Sequence, residues 1–492
     1  MFESAELGHR LGKAEYHKLV PTLRAALLNA QMRVVEAADF PVVLLSAGVD
    51  GGGRAEVVNL LVEWMDPRHI SAVATDETTL DHGIPQPIWR HWQDLPPKGK
   101  LGVFFGSWYT PLIEDRVYRK IRDPELAVAL DELVGFERML VNEGALIVKV
   151  WMHLTKKAQR KRFETLEADK TTAWRVTKRD WEHHERYNRF RAVSERVLRE
   201  TSTAEAPWTV VEATDARYRD VTVARALLDA METRLGQRKV SIPRRAASLA
   251  RPSIDSRNVI AELDLKKKLS DADYRERFSA AQARVAELSR SKHFHERGVA
   301  IVFEGNDAAG KGGAIRRVTS ALDVRTYRVV PIAAPSEEER AQPYLWRFWR
   351  HVPRKGQFTI FDRSWYGRVL VERVEGFAAE SDWMRAYREI VDFETSLIRS
   401  GIVVIKFWLA ISKDEQLVRF RAREKTSFKR FKITEEDWRN RKKWDAYENA
   451  VCDMVDRTST DLAPWTLVEA NDKNWARVRV LETIGDAISK KI

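Results

Sequence analysis

Cysteine is nearly absent: Cys452 stands alone among 492 residues, which excludes an intramolecular disulfide framework. No apolar run approaches the ~20 residues that span a bilayer. The richest, FPVVLLSAGV and GIVVIKFWLAI, stop far short of that. The opening MFESAELGHR lacks a cationic start followed by an apolar core, so no secretory signal is expected, and a soluble, cytoplasmic protein is. There is no G-x-S-x-G elbow, so Ser364 in DRSWY does not read as a hydrolase nucleophile. The 11 histidines show no zinc-ligand spacing with the lone cysteine.

What is present is a chain built to fold. Hydrophobic residues make up 44% and tryptophans number 17. The length exceeds one ordinary core, so two or more domains are expected. With 84 Lys+Arg against 72 Asp+Glu, the net charge is +12. That surplus fits either polyanionic partners or a solvated basic surface.

Comparing the chain with itself at an offset of 257 residues gives a gapless match from about residue 44 to residue 215. Trp89, Arg90 and Trp92 fall on Trp346, Arg347 and Trp349; Ser107-Trp108-Tyr109 fall on Ser364-Trp365-Tyr366. TSTAEAPWTVVEA falls on TSTDLAPWTLVEA. This is an internal duplication of a whole domain. The basic, Pro- and Ser-containing stretch 236–258 reads as a linker between an N-terminal half, 1–235, and a C-terminal half, 259–492. In the second half GVAIVFEG, YRVVPIAA, QFTIFDRS, GIVVIKFWLAI and WTLVEA read as buried strands with helical stretches between them. That alternation predicts an α/β fold, a parallel sheet flanked by helices.

Gly305-Asn306-Asp307-Ala308-Ala309-Gly310-Lys311 fits G-x-x-x-x-G-K between a predicted strand and a predicted helix. Backbone N–H groups from Gly305, Asn306, Ala308, Ala309, Gly310, Gly312 and Gly313 would wrap a phosphate, with Lys311 adding a mobile charge. Gly312 stands where such loops usually carry a metal-binding Ser or Thr. Asp307 can supply an oxygen instead, joined by Asp362 at the end of the strand in FTIFDRSWYGR. Asp307 could equally orient or deprotonate an acceptor phosphate. Arg363 and Arg368 can stabilise charge on a transferring phosphoryl group. The stretch 419–449 opens with Arg419, Arg421, Arg423, Lys425, Lys429, Arg430 and Lys432, with Phe420, Phe428 and Phe431 among them. It reads as a closing lid or as a solvated helix face.

GNDAAGKGG, PYLWRFW, FDRSWYGRVLVERV, RFRAREKTSFKRFK and APWTLVEA together resemble the polyphosphate kinase 2 family, over almost all of both halves. The resemblance implies two tandem P-loop kinase-like domains that move a phosphoryl group between inorganic polyphosphate and a nucleotide with Mg²⁺, or Mn²⁺ in its place. The doubled layout resembles the branch that forms ADP from AMP. By the same analogy the functional residues are Asp307, Lys311, Asp362, Arg363, Arg423, Lys429 and Lys432. The lid departs from the family pattern at Phe431, where Trp is usual. ADP or GDP as acceptor, and polyphosphate synthesis by the reverse reaction, remain alternatives. So do an ATP-dependent metabolite kinase and a non-catalytic polyanion binder. Neither a nucleic acid nor a membrane is an expected partner.

The N-terminal copy keeps the tryptophans and loses the chemistry. At the same offset Lys311 becomes Arg54, Asp362 becomes Phe105, Arg363 becomes Gly106, Arg368 becomes Pro111 and Arg423 becomes Leu166, while Asp50 and Gly53 survive. It is expected to be inactive, an internal pseudo-dimer partner for the second copy, with further homo-oligomerisation open.

Overall fold

The computed structural model describes residues 1–74, 91–237, 258–425, 433 and 435–491. Most of the expected linker, Trp89-Arg90, and Lys429, Arg430 and Lys432 lie outside these described residues. The chain divides into two compact units. Among described residues the first holds 1–74, 91–237 and 335–346; the second holds 258–334 and 347–491. Segment 335–346 belongs to the second half by sequence. It joins the first unit through backbone bonds such as Lys98 N–H to the Ala341 carbonyl at 2.9 Å.

Each unit is built on a five-stranded parallel sheet. In the first, β1 (Val42–Gly48), β2 (Ile70–Ala74), β3 (Leu101–Phe105), β4 (Leu146–His153) and β5 (Trp208–Glu212) lie in the order β2-β3-β1-β4-β5. In the second, β6 (Gly298–Gly305), β7 (Tyr327–Pro331), β8 (Phe358–Asp362), β9 (Ile402–Ala410) and β10 (Trp465–Glu469) lie in the order β7-β8-β6-β9-β10. The registers repeat as well: Val42 faces Leu101 in the first sheet, and Val299 faces Phe358 in the second. The duplication legible in sequence is therefore a duplication of strand order and register.

Strands buried on both faces explain the near-continuous apolar runs; every residue of β9 is buried, Lys406 included. Helices cover the sheet. In the second unit, Asp271–Leu288 and Lys473–Lys491 contribute Val285, Val480, Leu481, Ile484 and Ile488 to a core with Val299, Ile301, Phe303, Ile360 and Phe407. β6 sits between β8 and β9; from β6 the chain runs to β7 at one edge of the sheet, and from β9 it runs to β10 at the other. The C-terminal end of such a central strand is where open α/β sheets bind ligands. Among the described residues no helix is long and apolar enough to cross a membrane.

Candidate active site

The loop 305–311 leaves the end of β6 and enters the helix Lys311–Thr319. Gly305 has φ +150°, and a Cβ there would lie 2.5 Å from the Leu409 carbonyl oxygen, so only glycine lets the chain pass β9 so closely. Gly310 caps the helix in the left-handed region, φ +107°. Between them Ala308 takes φ +65°, a conformation L-residues rarely adopt. The loop is clamped from below. Gln416 Nε2 donates to the Asp307 carbonyl at 3.1 Å, and Ile411 N–H donates to Asn306 Oδ1 at 3.2 Å. Arg419 Nη1 donates to the carbonyls of Ala308 and Ala309 at 3.0 and 3.1 Å, and its Nη2 to those of Ala470 and Asn471. Arg419 is thus buried under the loop and is not one of the lid cations the basic run suggests. Its Nη donors thus satisfy two carbonyls of the turn and two beyond β10, while its Nε–H donates to Glu415 at 2.6 Å.

Lys311 bends back over the loop, with Nζ 2.7 Å from the Gly305 carbonyl. Burial lowers its ammonium pKa; Arg363 adds to that, while Asp307, Asp362 and Glu304 oppose it. One amine therefore feels both expected metal carboxylates. Asp307 accepts a hydrogen bond from Asn440 Nδ2 at 2.9 Å and lies 3.6 Å from the Arg363 guanidinium. Burial would lower the Arg363 pKa, but Asp307, Glu304, Glu436 and Asp362 around it outweigh that and raise it. Asp362 ends β8, with Phe303 of β6 as its sheet neighbour. Asp307, Lys311 and Arg363 line a cleft of about 700 Å³, walled by Trp408, Trp444, Tyr447 and Leu370.

The remaining expected residues fall at different distances from this centre. Arg423 is half-buried; burial lowers its pKa, with Asp437 and Asp307 opposing, so it shares the field of the loop carboxylate. Arg421 is exposed on the same helix, Lys413–Lys425. Arg368 is ion-paired to Glu372 at 2.9 Å and does not line the cleft. Gly312 and Gly313 lie in the first turn of the helix, with open space where side chains would stand.

Two site residues escape a reading of the motifs. Asn440 lies 133 residues from Asp307 in sequence. Glu304 is a buried carboxylate at the end of β6, bonded by Ser364 Oγ at 2.8 Å; burial raises its pKa against Lys311, Ser364 and Arg363. The offset comparison carries a signal for Glu304, because its counterpart in the first copy is Ala47.

A family described as polyphosphate kinase 2 matches residues 10–239 and 268–492. A polyphosphate:AMP phosphotransferase of Pseudomonas aeruginosa is 55% identical over 488 residues, 99% of this chain and 98% of that protein. The chain belongs to the polyphosphate kinase 2 family. A polyphosphate:AMP phosphotransferase of Acinetobacter johnsonii is 37% identical over 93% of this chain and 94% of its own length. A crystal structure described as a polyphosphate kinase 2, from Pseudomonas aeruginosa PA01, matches with a TM-score of 0.89 at 53% identity, covering 100% of this chain and 99% of its own.

Within this polyphosphate kinase 2 chain the first unit keeps the loop's scaffold and neutralises its charge. Gly48 and Gly53 repeat the positive φ values, and Gln159 Nε2 donates to the Asp50 carbonyl as Gln416 does to that of Asp307. Asp50, however, is held by Arg54 at 2.9 Å and by His183 Nδ1 at 2.7 Å. Burial raises the Asp50 pKa, but these partners outweigh it and the net shift is downward. Phe105 and Gly106 stand at the places of Asp362 and Arg363, and Glu114, which lines the same cleft as Asp50, is ion-paired to Arg179. Asp50→Asn and Arg54→Ala should accordingly leave turnover within roughly a few-fold of wild type, since Asp50 and Glu114 are both held in ion pairs and no carboxylate stands at the Asp362 position. A hundredfold loss in folded protein would give this loop a catalytic or regulatory role.

Proposed function

We propose that the second unit transfers a phosphoryl group from inorganic polyphosphate to AMP, forming ADP, assisted by Mg²⁺ or by Mn²⁺ in its place. The observation that carries this reading is Lys311 set in the field of Asp307, Asp362 and Arg363 at the mouth of an open cleft. It stands in a chain that is 55% identical, along its whole length, to a polyphosphate:AMP phosphotransferase.

The residues fit a metal of this kind. Asp307 and Asp362, both of which act on the Lys311 ammonium, would be its two hard oxygen donors; among the described residues no cluster of three or more potential ligands forms. Mg²⁺ is commonly held by one or two carboxylates, with substrate phosphates and water completing its shell. When bound there it would supply charge to the phosphate oxygens. The chain's own groups do the rest. Lys311 exchanges two loop carbonyls for phosphate oxygens, and the loop N–H groups hold those oxygens in place. Arg363 meets the charge that develops on the transferring group. Arg423 adds a cation in the field of Asp307, and the basic run of the sequence would add Arg421, Lys429, Arg430 and Lys432 as a lid that excludes water.

In this reading the first copy is a built-in structural partner of the second, retained for its fold. The enzyme works in the cytoplasm, with its nucleotide substrate. The test is product analysis with polyphosphate, Mg²⁺ and either AMP or ADP in turn. ADP formed from AMP as the faster reaction is expected; faster formation of ATP from ADP would replace this reading with the ADP-acceptor alternative.

The lid gives a separate forecast. Neutralising Lys429 and Lys432 together should raise KM for polyphosphate more than KM for AMP. The salt dependence of that KM should become shallower, because fewer counterion-releasing contacts remain. A solvated face predicts neither change, since exposed charges are screened within about 8–10 Å. Kinetics at several salt concentrations decide; a rise confined to AMP would place these lysines over the nucleotide.

A further inference from the structure

Arg363 is an arginine where the backbone asks for glycine. Its φ is +64°, in the left-handed region, and its N–H donates to the Phe303 carbonyl at 3.0 Å. In the first copy the corresponding residue is Gly106, with φ +87°. The turn is thus shared, and only the second copy builds it from a residue that resists it.

The two copies also differ immediately behind that turn. Ser364, 1% exposed, donates its Oγ hydrogen to Glu304 Oε1 at 2.8 Å and accepts from Tyr366 N–H at 3.3 Å. Glu304 is itself 6% exposed and closes the end of β6. In the first copy the serine persists as Ser107, but Ala47 replaces the glutamate, and Ser107 Oγ instead meets Thr110 Oγ1 at 3.3 Å. Where glycine takes the left-handed position, the carboxylate clasp is absent. Where arginine must take it, the clasp is present.

We propose that Glu304 is a positioning residue for phosphoryl transfer, holding Arg363 in its left-handed conformation through Ser364. The clasp ties Glu304, the penultimate residue of β6, to the residue after Arg363, so the turn cannot relax toward an extended backbone. The Arg363 guanidinium then stays beside Asp307, at the 3.6 Å seen here, facing the phosphate cleft. Without the clasp the arginine keeps its charge but loses its aim.

The kinetic part of the test rests on the phosphotransferase reading above; the structural part does not. Glu304→Ala and Ser364→Ala should each lower kcat by about 10- to 100-fold, the scale of a misplaced catalytic group, with KM for AMP changed far less. Because both act through one clasp, the double variant should be no worse than about 2–3 times the worse single variant. Glu304→Gln, which still accepts from Ser364, should recover most of the loss. Ala47 occupies the same register in the first sheet, so alanine suits the strand there. Should Glu304→Ala still fail to fold, Ser364→Ala and Glu304→Gln carry the comparison. A kcat for Glu304→Ala within a few-fold of wild type would overturn the proposal. So would multiplicative losses in the double variant, or a Glu304→Gln variant as impaired as Glu304→Ala, which would make the role one of charge. A crystal structure of Ser364→Ala reads the clasp without any assay: Arg363 leaving the left-handed region supports it, and an unmoved Arg363 overturns it.

Discussion

Lys311→Ala and Asp362→Asn are each expected to lower kcat by about 10³-fold or more while leaving the melting temperature close to wild type. Phosphoryl transfer asks little covalent chemistry of a protein, so charge placement carries most of the barrier lowering. Lys311 Nζ donates to the Gly305 and Asn306 carbonyls, both in the loop, so its removal leaves the core intact. Asp362 sits half-buried at the open end of β8, where asparagine preserves size and removes the charge a metal needs. Steady-state kinetics on folded protein check both. Near-normal turnover in either variant would move the chemistry elsewhere.

The second large effect is on stability. Lys406, fully buried in β9, donates to Glu394 Oε2 at 2.8 Å, to the Thr458 carbonyl at 2.8 Å and to Tyr366 Oη at 3.0 Å. Glu394 also accepts from Trp365 Nε1 and Tyr366 Oη. Burial raises the Glu394 carboxyl pKa and lowers that of the Lys406 ammonium, each offset by the other. Lys406→Met strands a buried carboxylate, and breaking such a pair costs about 3–5 kcal/mol. For a unit of this size that corresponds to a drop of roughly 10 °C in its melting temperature. Thermal unfolding of the variant checks this, and a shift of a degree or two would mean the pair contributes little. The first unit repeats the arrangement as Lys149, Glu137, Trp108 and Thr201, with Lys149 Nζ 2.7 Å from Glu137. Lys149→Met should therefore destabilise the first unit by a similar amount. The network survives in a copy where Arg54 and Phe105 replace Lys311 and Asp362, which marks it as part of the fold.

How much of this was legible in the sequence follows from how local each feature is. β6 runs over the residues its apolar run predicts, and β8 and β9 differ only at their ends, because burial on both faces leaves little choice of residue. The loop is legible because Gly305 and Gly310 stand where no side chain can follow the backbone. Arg419 misleads for the opposite reason. It sits in a basic run, yet the carbonyls that bury it come from Ala308, Ala309, Ala470 and Asn471, far away in the chain. Asn440 was silent, since an amide in a charged helix carries no pattern until the fold sets it against Asp307. Arg368 follows the motif in sequence, but Glu372 one turn later claims its guanidinium.

The central claim is that polyphosphate, and not a nucleoside triphosphate, phosphorylates AMP in the second unit. Its most direct test is the initial rate of ADP formation from AMP and Mg²⁺, measured in parallel with polyphosphate and with ATP as the donor. The account predicts ADP formation that depends on polyphosphate, that ATP does not support above background, and that Asp362→Asn abolishes. Equal or faster ADP formation with ATP, or polyphosphate-dependent turnover that survives Asp362→Asn, would contradict it.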